Sequence, residues 1–167
     1  MGKQSPLNLR RLRFPDDLPL LRQAWEWTQA RPQHYPATGG QMSFERYAEA
    51  AQRIVQSDFG YFVEDQLHCL VTVEAESFGK YNFHLTSQPH PDFKIITTAL
   101  YTVGVGLFRD LGAKQLYTWI PRLYTRNRRV AKACGMQSIE HIEKDGIQYE
   151  IFGVNRAYYL SQFPDGQ

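Results

Sequence analysis

The chain has 167 residues, 43% hydrophobic and 14% aromatic, which suits one well-filled core of single-domain size. Nineteen Lys and Arg against seventeen Asp and Glu leave a net charge of +2, so global charge calls for neither nucleic acid, nor a membrane surface, nor an acidic substrate, and any basic site must be local. Two isolated cysteines, Cys69 and Cys134, form neither a disulfide framework nor a zinc site, and no segment resembles a signal peptide or nears the ~20 apolar residues of a membrane span, so a soluble protein of the reducing cytoplasm is expected.

Residues 7–14 alternate Leu and Arg at Leu7, Leu9, Arg11 and Arg13 until Pro15 interrupts, which predicts a first strand. Asp16 or Asp17 is placed to cap a helix over 18–30, with Pro19 in its first turn and Leu18, Leu21, Ala24, Trp25 and Thr28 at helical spacing. Two prolines and Gly39-Gly40 make 31–41 a loop. Ser43 then caps a second helix with Phe44, Tyr47, Ala48, Ala51, Ile54 and Val55 on one side.

Residues 60–64 and 67–75 read as a hairpin around Asp65-Gln66, and Gly79 leads into a strand over 80–87. That strand alternates: Tyr81, Phe83 and Leu85 face one way, Asn82, His84 and Thr86 the other. Pro89 and Pro91 end it. Asp92 caps a helix whose apolar stripe is Ile95, Ile96, Ala99, Leu100, Val103, Leu107, Phe108 and Leu111, with Gly112 as a left-handed stop. Gly104 and Gly106 each cost about 1 kcal/mol inside a helix, which close packing would explain. A strand over 116–120 ended by Pro121, a short helix over 126–134, and a hairpin of 136–142 and 147–154 around Lys144-Asp145-Gly146 follow, and the last residues read as a surface tail.

The order is β-α-α-β-β-β-α-β-α-β-β, an α+β (mixed α/β) arrangement. Together with LRRLRFPDDLPLL, an opening strand followed by an acidic cap, and RNRRVAKACGMQ, a helix closing on glycine with Met136 at the following aromatic position, it resembles the GNAT superfamily of N-acetyltransferases. The resemblance implies a single GNAT-like domain over 1–167, with a core at 7–154, a tail at 155–167, and a central, mostly antiparallel, twisted sheet. It implies acetyl-CoA as acyl donor, lying where the central strands splay, with its pyrophosphate on a glycine loop at a helix N-terminus. The corresponding segment, SQPHPDFKIITT, has no glycine and adds Asp92. The donor-binding set carried over is Leu85, Thr86 and Ser87, whose backbone would face the thioester, with Gln88, Lys94, Ile95, Arg126 and Asn127 toward the phosphates. Aligned on Gly135, the family's helix-start asparagine falls on Tyr124 and its tyrosine general acid on Ala131, which leaves Tyr124 as the substitute acid or as a packing residue at a strand-helix corner.

Acyl transfer to an amine requires loss of the amine's proton, since an alkylammonium is charged at neutral pH. His84 beside Asn82 and Thr86, or Glu74 in line with Thr72 and Glu76, can serve as base, with the backbone at 85–87 as oxyanion donor. The alternative is a sheet face that is polar because it is wet. Arg122, Arg126, Arg128 and Arg129, interleaved with Tyr117, Trp119 and Tyr124, suit nucleic acid, the 3′-phosphate of CoA, or a solvated helix face. Neither His34-Tyr35 nor His68-Cys69 has metal-ligand spacing, so no metal is expected, and GVGLFRDLG falls within a helix pattern rather than a dinucleotide fingerprint.

Three readings follow. One is transfer of acetyl to a primary amine of a small molecule or protein. A second is a non-catalytic GNAT-like scaffold, similar to divergent bacteriophage proteins, virion-associated or acting on a protein partner in the host cytoplasm. The third is a nucleic-acid module, which the small net charge disfavours. Tyr158, Tyr159, Leu160 and Phe163 either cover the edge of a homo-oligomer or fold back on their own chain.

Overall fold

The computed structural model describes residues 8–36, 42–53, 56–76 and 78–162. Seven strands form one sheet: β1 (Asn8–Arg11), β2 (Gln56–Val63), β3 (Gln66–Ala75), β4 (Lys80–Ser87), β5 (Gln115–Pro121), β6 (Gln137–Lys144) and β7 (Ile147–Asn155). The helices are α1 (Leu18–Ala30), α2 (Phe44–Gln52), α3 (Phe93–Arg109), α4 (Thr125–Ala133) and α5 (Arg156–Gln162), with a 3-10 turn at Pro32–His34. The sheet order is β1-β2-β3-β4-β5-β7-β6, and among the described residues only β4 and β5 are parallel. This is the mixed, mostly antiparallel arrangement expected from the sequence.

Strand alternation sorts the core onto the two sheet faces. Tyr61, Cys69, Val71, Val73, Phe83, Leu116 and Ile120 pack with α3 and α4, while Leu12, Phe62, Leu67 and Leu70 pack with α1 and α2. Helix starts follow the expected chemistry at two positions. Ser43 accepts from Arg46 N–H at 3.3 Å, and Asp92 accepts from Lys94 N–H at 2.8 Å.

Several expectations are corrected. Asp17 occupies the N-cap position of α1, but its carboxylate is spent on a bidentate pair with Arg10 (2.7 and 2.9 Å) and on Arg13 N–H, not on a helix N–H. Strand β2 begins at Gln56 rather than at Gly60, and its turn is Glu64-Asp65, both at positive φ, so the hairpin sits one residue earlier than predicted. Leu111 lies past the end of α3 and is 62% exposed. Ile54, Val55, Leu7 and Phe163 lie outside the described residues.

The expected tail begins as a helix. Tyr159 is buried and stacks near Tyr101 and Phe108, its hydroxyl donating to Tyr101 O at 3.0 Å. A Cβ on Gly104 would stand 3.0 Å from that hydroxyl, so Gly104 provides the seat for α5. Gly106 meets only Asp110 at 3.8 Å and has no such role. Tyr158, Tyr159 and Leu160 therefore fold back on the core.

Two arginines of the cluster, Arg126 and Arg128, are engaged by protein groups. Arg128 reaches under the sheet end to Glu150 at 2.6 Å, and Glu150 is only 4% exposed. Burial works against the charged form of Glu150, but Ser138, Arg128, His141 and Lys132 outweigh it and hold the carboxyl below its usual range. Arg128→Met should cost roughly 3 kcal/mol by stranding a buried carboxylate, and adding Glu150→Leu should restore most of the loss. Urea denaturation of the single and double variants checks this. A single variant as stable as the parent would show the pair to be dispensable.

Candidate active site

Strands β4 and β5 pair only at Lys80↔Gln115, Tyr81↔Leu116 and Asn82↔Tyr117, and then part. The parting opens a cleft of about 540 Å³ that runs through the sheet. Leu85, Leu100, Val130, Ala131 and Met136 line it on the α3/α4 side, and Tyr35, Met42, Tyr47, Ala50 and Ala51 roof it on the α1/α2 side. Trp25 fixes part of that roof by donating from Nε1 to Met42 O at 2.9 Å.

The polar groups are set by register. Asp58 stands opposite Thr72, and Thr72 opposite His84, so the three form a row across β2, β3 and β4 on the α1/α2 face. A second row joins Glu74, Asn82 and Tyr117, and the Tyr117 hydroxyl donates to Glu76. The His84 ring is accessible within the cleft yet walled by protein, and this desolvation lowers its pKa, with the Glu74 charge opposing in part. Neutral imidazole is thus the resting form at neutral pH. Glu74 shares the face but does not line the cleft, so it acts on His84 through charge.

Backbone donors are also decided by register. Gln88 N–H donates to His68 O at 3.2 Å, so in the alternating antiparallel ladder Thr86 and His84 also turn their backbone groups toward β3. The odd residues turn the other way. Ser87 does so, and both its groups are taken: N–H by the Tyr35 hydroxyl at 3.2 Å, C=O by Arg31. Leu85 N–H, facing the gap that β5 has left, is the free donor of the three predicted.

At the outer end, the Gln88 amide nitrogen lies 3.0 Å from Nδ1 of His68 and is turned away from the start of α3. The first turn of α3 carries Lys94 and Ile95, with the Asp92 carboxylate already on the Lys94 N–H. Arg126 donates to Pro91 O at 2.5 Å, which ties α4 to this loop, and the neighbouring Asn127 lines the cleft. Tyr124 stacks on His34 with ring centroids 4.5 Å apart and faces a second hollow, while Ala131 lines the cleft between β4 and β5. The structure therefore brings His84, Leu85, Thr86 and Asn127 to the cleft and leaves Glu74, Ser87, Gln88, Lys94, Ile95, Tyr124 and Arg126 outside its lining.

Sequence reading missed Asp58. It is 3% exposed, Thr72 Oγ1 donates to its Oδ1 at 2.8 Å, and Oδ2 has no hydrogen-bond partner. Burial, opposed by Thr72 and by the charge of Arg11, pushes its pKa up to about 6. The signal was masked: Asp58 follows Gln56 and Ser57, so it reads as part of a polar lead-in, although it shares a face with Gly60 and Phe62.

No protein-family model and no curated protein sequence matches the chain. Solved structures do. Spermidine N-acetyltransferase from Vibrio cholerae, in complex with CoA and spermine, superposes with a TM-score of 0.75 at 15% identity over 92% of this chain and 98% of that one. A point mutant of the same enzyme gives 0.76 at 17% identity over 94% and 99%, and a chimera of it with hSSAT gives 0.72 at 17% over 93% and 99%. At this identity the likeness establishes the fold, that of GNAT-type N-acetyltransferases.

A carboxyl that is harder to ionise folded than unfolded weakens the fold once it ionises. Stability conferred by neutral Asp58 is present below pH 3.8 and lost as pH rises through about 6. Asp58→Asn should therefore leave stability unchanged near pH 3.5 and raise it by up to roughly 3 kcal/mol at pH 8. Denaturant melts across that range check the sign, and a loss of stability at pH 8 would contradict the assignment.

Proposed function

We propose that the protein is an N-acyltransferase that moves the acetyl group of acetyl-CoA to a primary amine. The observation that carries this reading is the passage between β4 and β5: one cleft joins both sheet faces, so donor and acceptor can meet in the gap from opposite sides. The solved structures named above are spermidine N-acetyltransferases, one of them in complex with CoA and spermine, which supports an amine acceptor.

The residues present fit the donor. The open edge of β4 offers the Leu85 N–H and C=O to the pantetheine and thioester portion, as a strand edge takes an extended chain. Lys94, Arg126 and Asn127 would hold the phosphates. Neutral His84 would take the proton from the acceptor ammonium, leaving its nitrogen lone pair free to attack the thioester carbon. Leu85 N–H would stabilise the resulting oxyanion. Collapse breaks the C–S bond, and the products are the N-acetylamine and CoA, whose thiolate takes up a proton. Ala131 brings no hydroxyl to this step, and the phenols that line the cleft are those of Tyr35, Tyr47 and Tyr149.

One observation favours the non-catalytic scaffold as a second reading. The Asp92 carboxylate caps the helix end where a pyrophosphate would sit, and no glycine lies between Ser87 and Asp92.

Calorimetric titration with acetyl-CoA separates the two. Saturable micromolar binding, weakened by Lys94→Ala, is expected for the enzyme, whereas no binding up to millimolar concentration would leave only the scaffold. With turnover in hand, His84→Ala should lower kcat by about a hundredfold or more. Because the His84 pKa is lowered, the acidic limb of kcat/KM should fall below pH 6.5. Full turnover by His84→Ala would remove it as base.

A further inference from the structure

The row Asp58–Thr72–His84 has more chemistry than one proton transfer uses. His84 stands at the opening between β4 and β5, whereas Asp58 stands two strands away, roughly 10 Å along the cleft at ordinary inter-strand spacing. It is one of few buried charged side chains among the described residues, and it differs from the other buried acid, Glu150, in having no cation on it. Arg11 influences Asp58 only through space. A carboxylate left buried with a free oxygen is costly, and chains tolerate such groups mainly where something else completes them.

The surroundings say what would complete it. Asp58 lines the cleft, so the completing group comes from a cleft ligand. Thr72 supplies the hydrogen bond to one oxygen, and the other calls for a donor, best a charged one. Tyr47, Tyr35, Met42 and Ala51 give that part of the cleft apolar and aromatic walls, which suit methylene groups leading to an ammonium.

We propose that Asp58 is an anchoring site for a second cationic group of the acceptor, so that the acceptor is a linear small molecule with two amino groups about 10 Å apart. One nitrogen is held at Asp58 while the other reaches the thioester beside His84. A lysine of a folded protein brings no second charge to that depth, and a simple monoamine leaves Asp58 empty. The inference rests on the N-acyltransferase reading above, and it narrows that reading to one acceptor class.

The test compares heptane-1,7-diamine with heptylamine, equal in chain length and different only in the far ammonium, using acetyl-CoA as donor. Wild-type protein should prefer the diamine in kcat/KM by about tenfold or more, the value of one charge-assisted contact. Asp58→Asn should bring that ratio close to one. Its melting curve, recorded alongside, confirms a folded variant. A wild-type ratio near one overturns the proposal. So does a ratio that Asp58→Asn leaves intact, because equal loss on both amines marks a base or a structural group. If neither amine is acetylated, calorimetric binding of the two amines decides separately. Binding of the diamine that Asp58→Asn abolishes keeps the anchor and fails the acyltransferase reading, and equal or absent binding of both amines sinks the anchor.

Discussion

Everything at the candidate site depends on the parting of β4 and β5 after Asn82↔Tyr117. Between the outer edges of β1 and β6, the other strand edges of this sheet are closed by a neighbour's hydrogen bonds. Here the edge of β4 is open inside the protein, and an unpaired strand edge is a row of donors and acceptors that must find partners. The chain closes the far end itself: Arg31 and Tyr35 take both backbone groups of Ser87, which β5 would hold if it ran on beside β4. The edge between, at Leu85, stays open to the cleft. Two side chains from the segment after α1 thus hold the splay apart and leave room for an extended ligand.

The elements flanking the gap are kept in place by contacts that do not enter it. Arg126 ties the start of α4 to the loop before α3, and Arg128 ties the same helix to β7 through Glu150. On the other face, Trp25 of α1 holds Met42. The walls of the cleft are therefore backed by polar anchors at their ends, while their inner surfaces remain apolar around Phe83, Leu100 and Ile120. This arrangement lets the cleft be both open and fixed in shape.

Most of the element order was legible because its signals are local. Ser43 and Asp92 mark helix starts, Gly112 and Gly135 take left-handed conformations after helices, and the alternation of 80–87 placed His84 on a polar face. Misreadings occurred where two local signals compete or where the deciding contact is distant. The polar start of β2 hid Asp58, since a strand read from Gly60 excludes it. Asp17 looks like a cap, and only the fold brings Arg10 beside it. Residues 156–162 look like a tail because the seat for Tyr159 is Gly104, more than fifty positions earlier. The parting itself has no residue signature at all, because it is a failure of two distant strands to continue together.

The two buried acids show how scaffold and site differ in this protein. Glu150 meets Arg128 and Ser138, its charged form is favoured, and it consolidates the contact of α4 with β7. Asp58 meets only one donor, its neutral form is favoured, and it weakens the fold at neutral pH. Both stand in strands near the parting, with similar exposure, so burial alone does not separate them. What separates them is completion: the chain supplies a cation to one and a cleft to the other. A group that costs stability where its neighbours could have been apolar points to a ligand, and the absence of a protein cation at Asp58 indicates the charge that ligand carries.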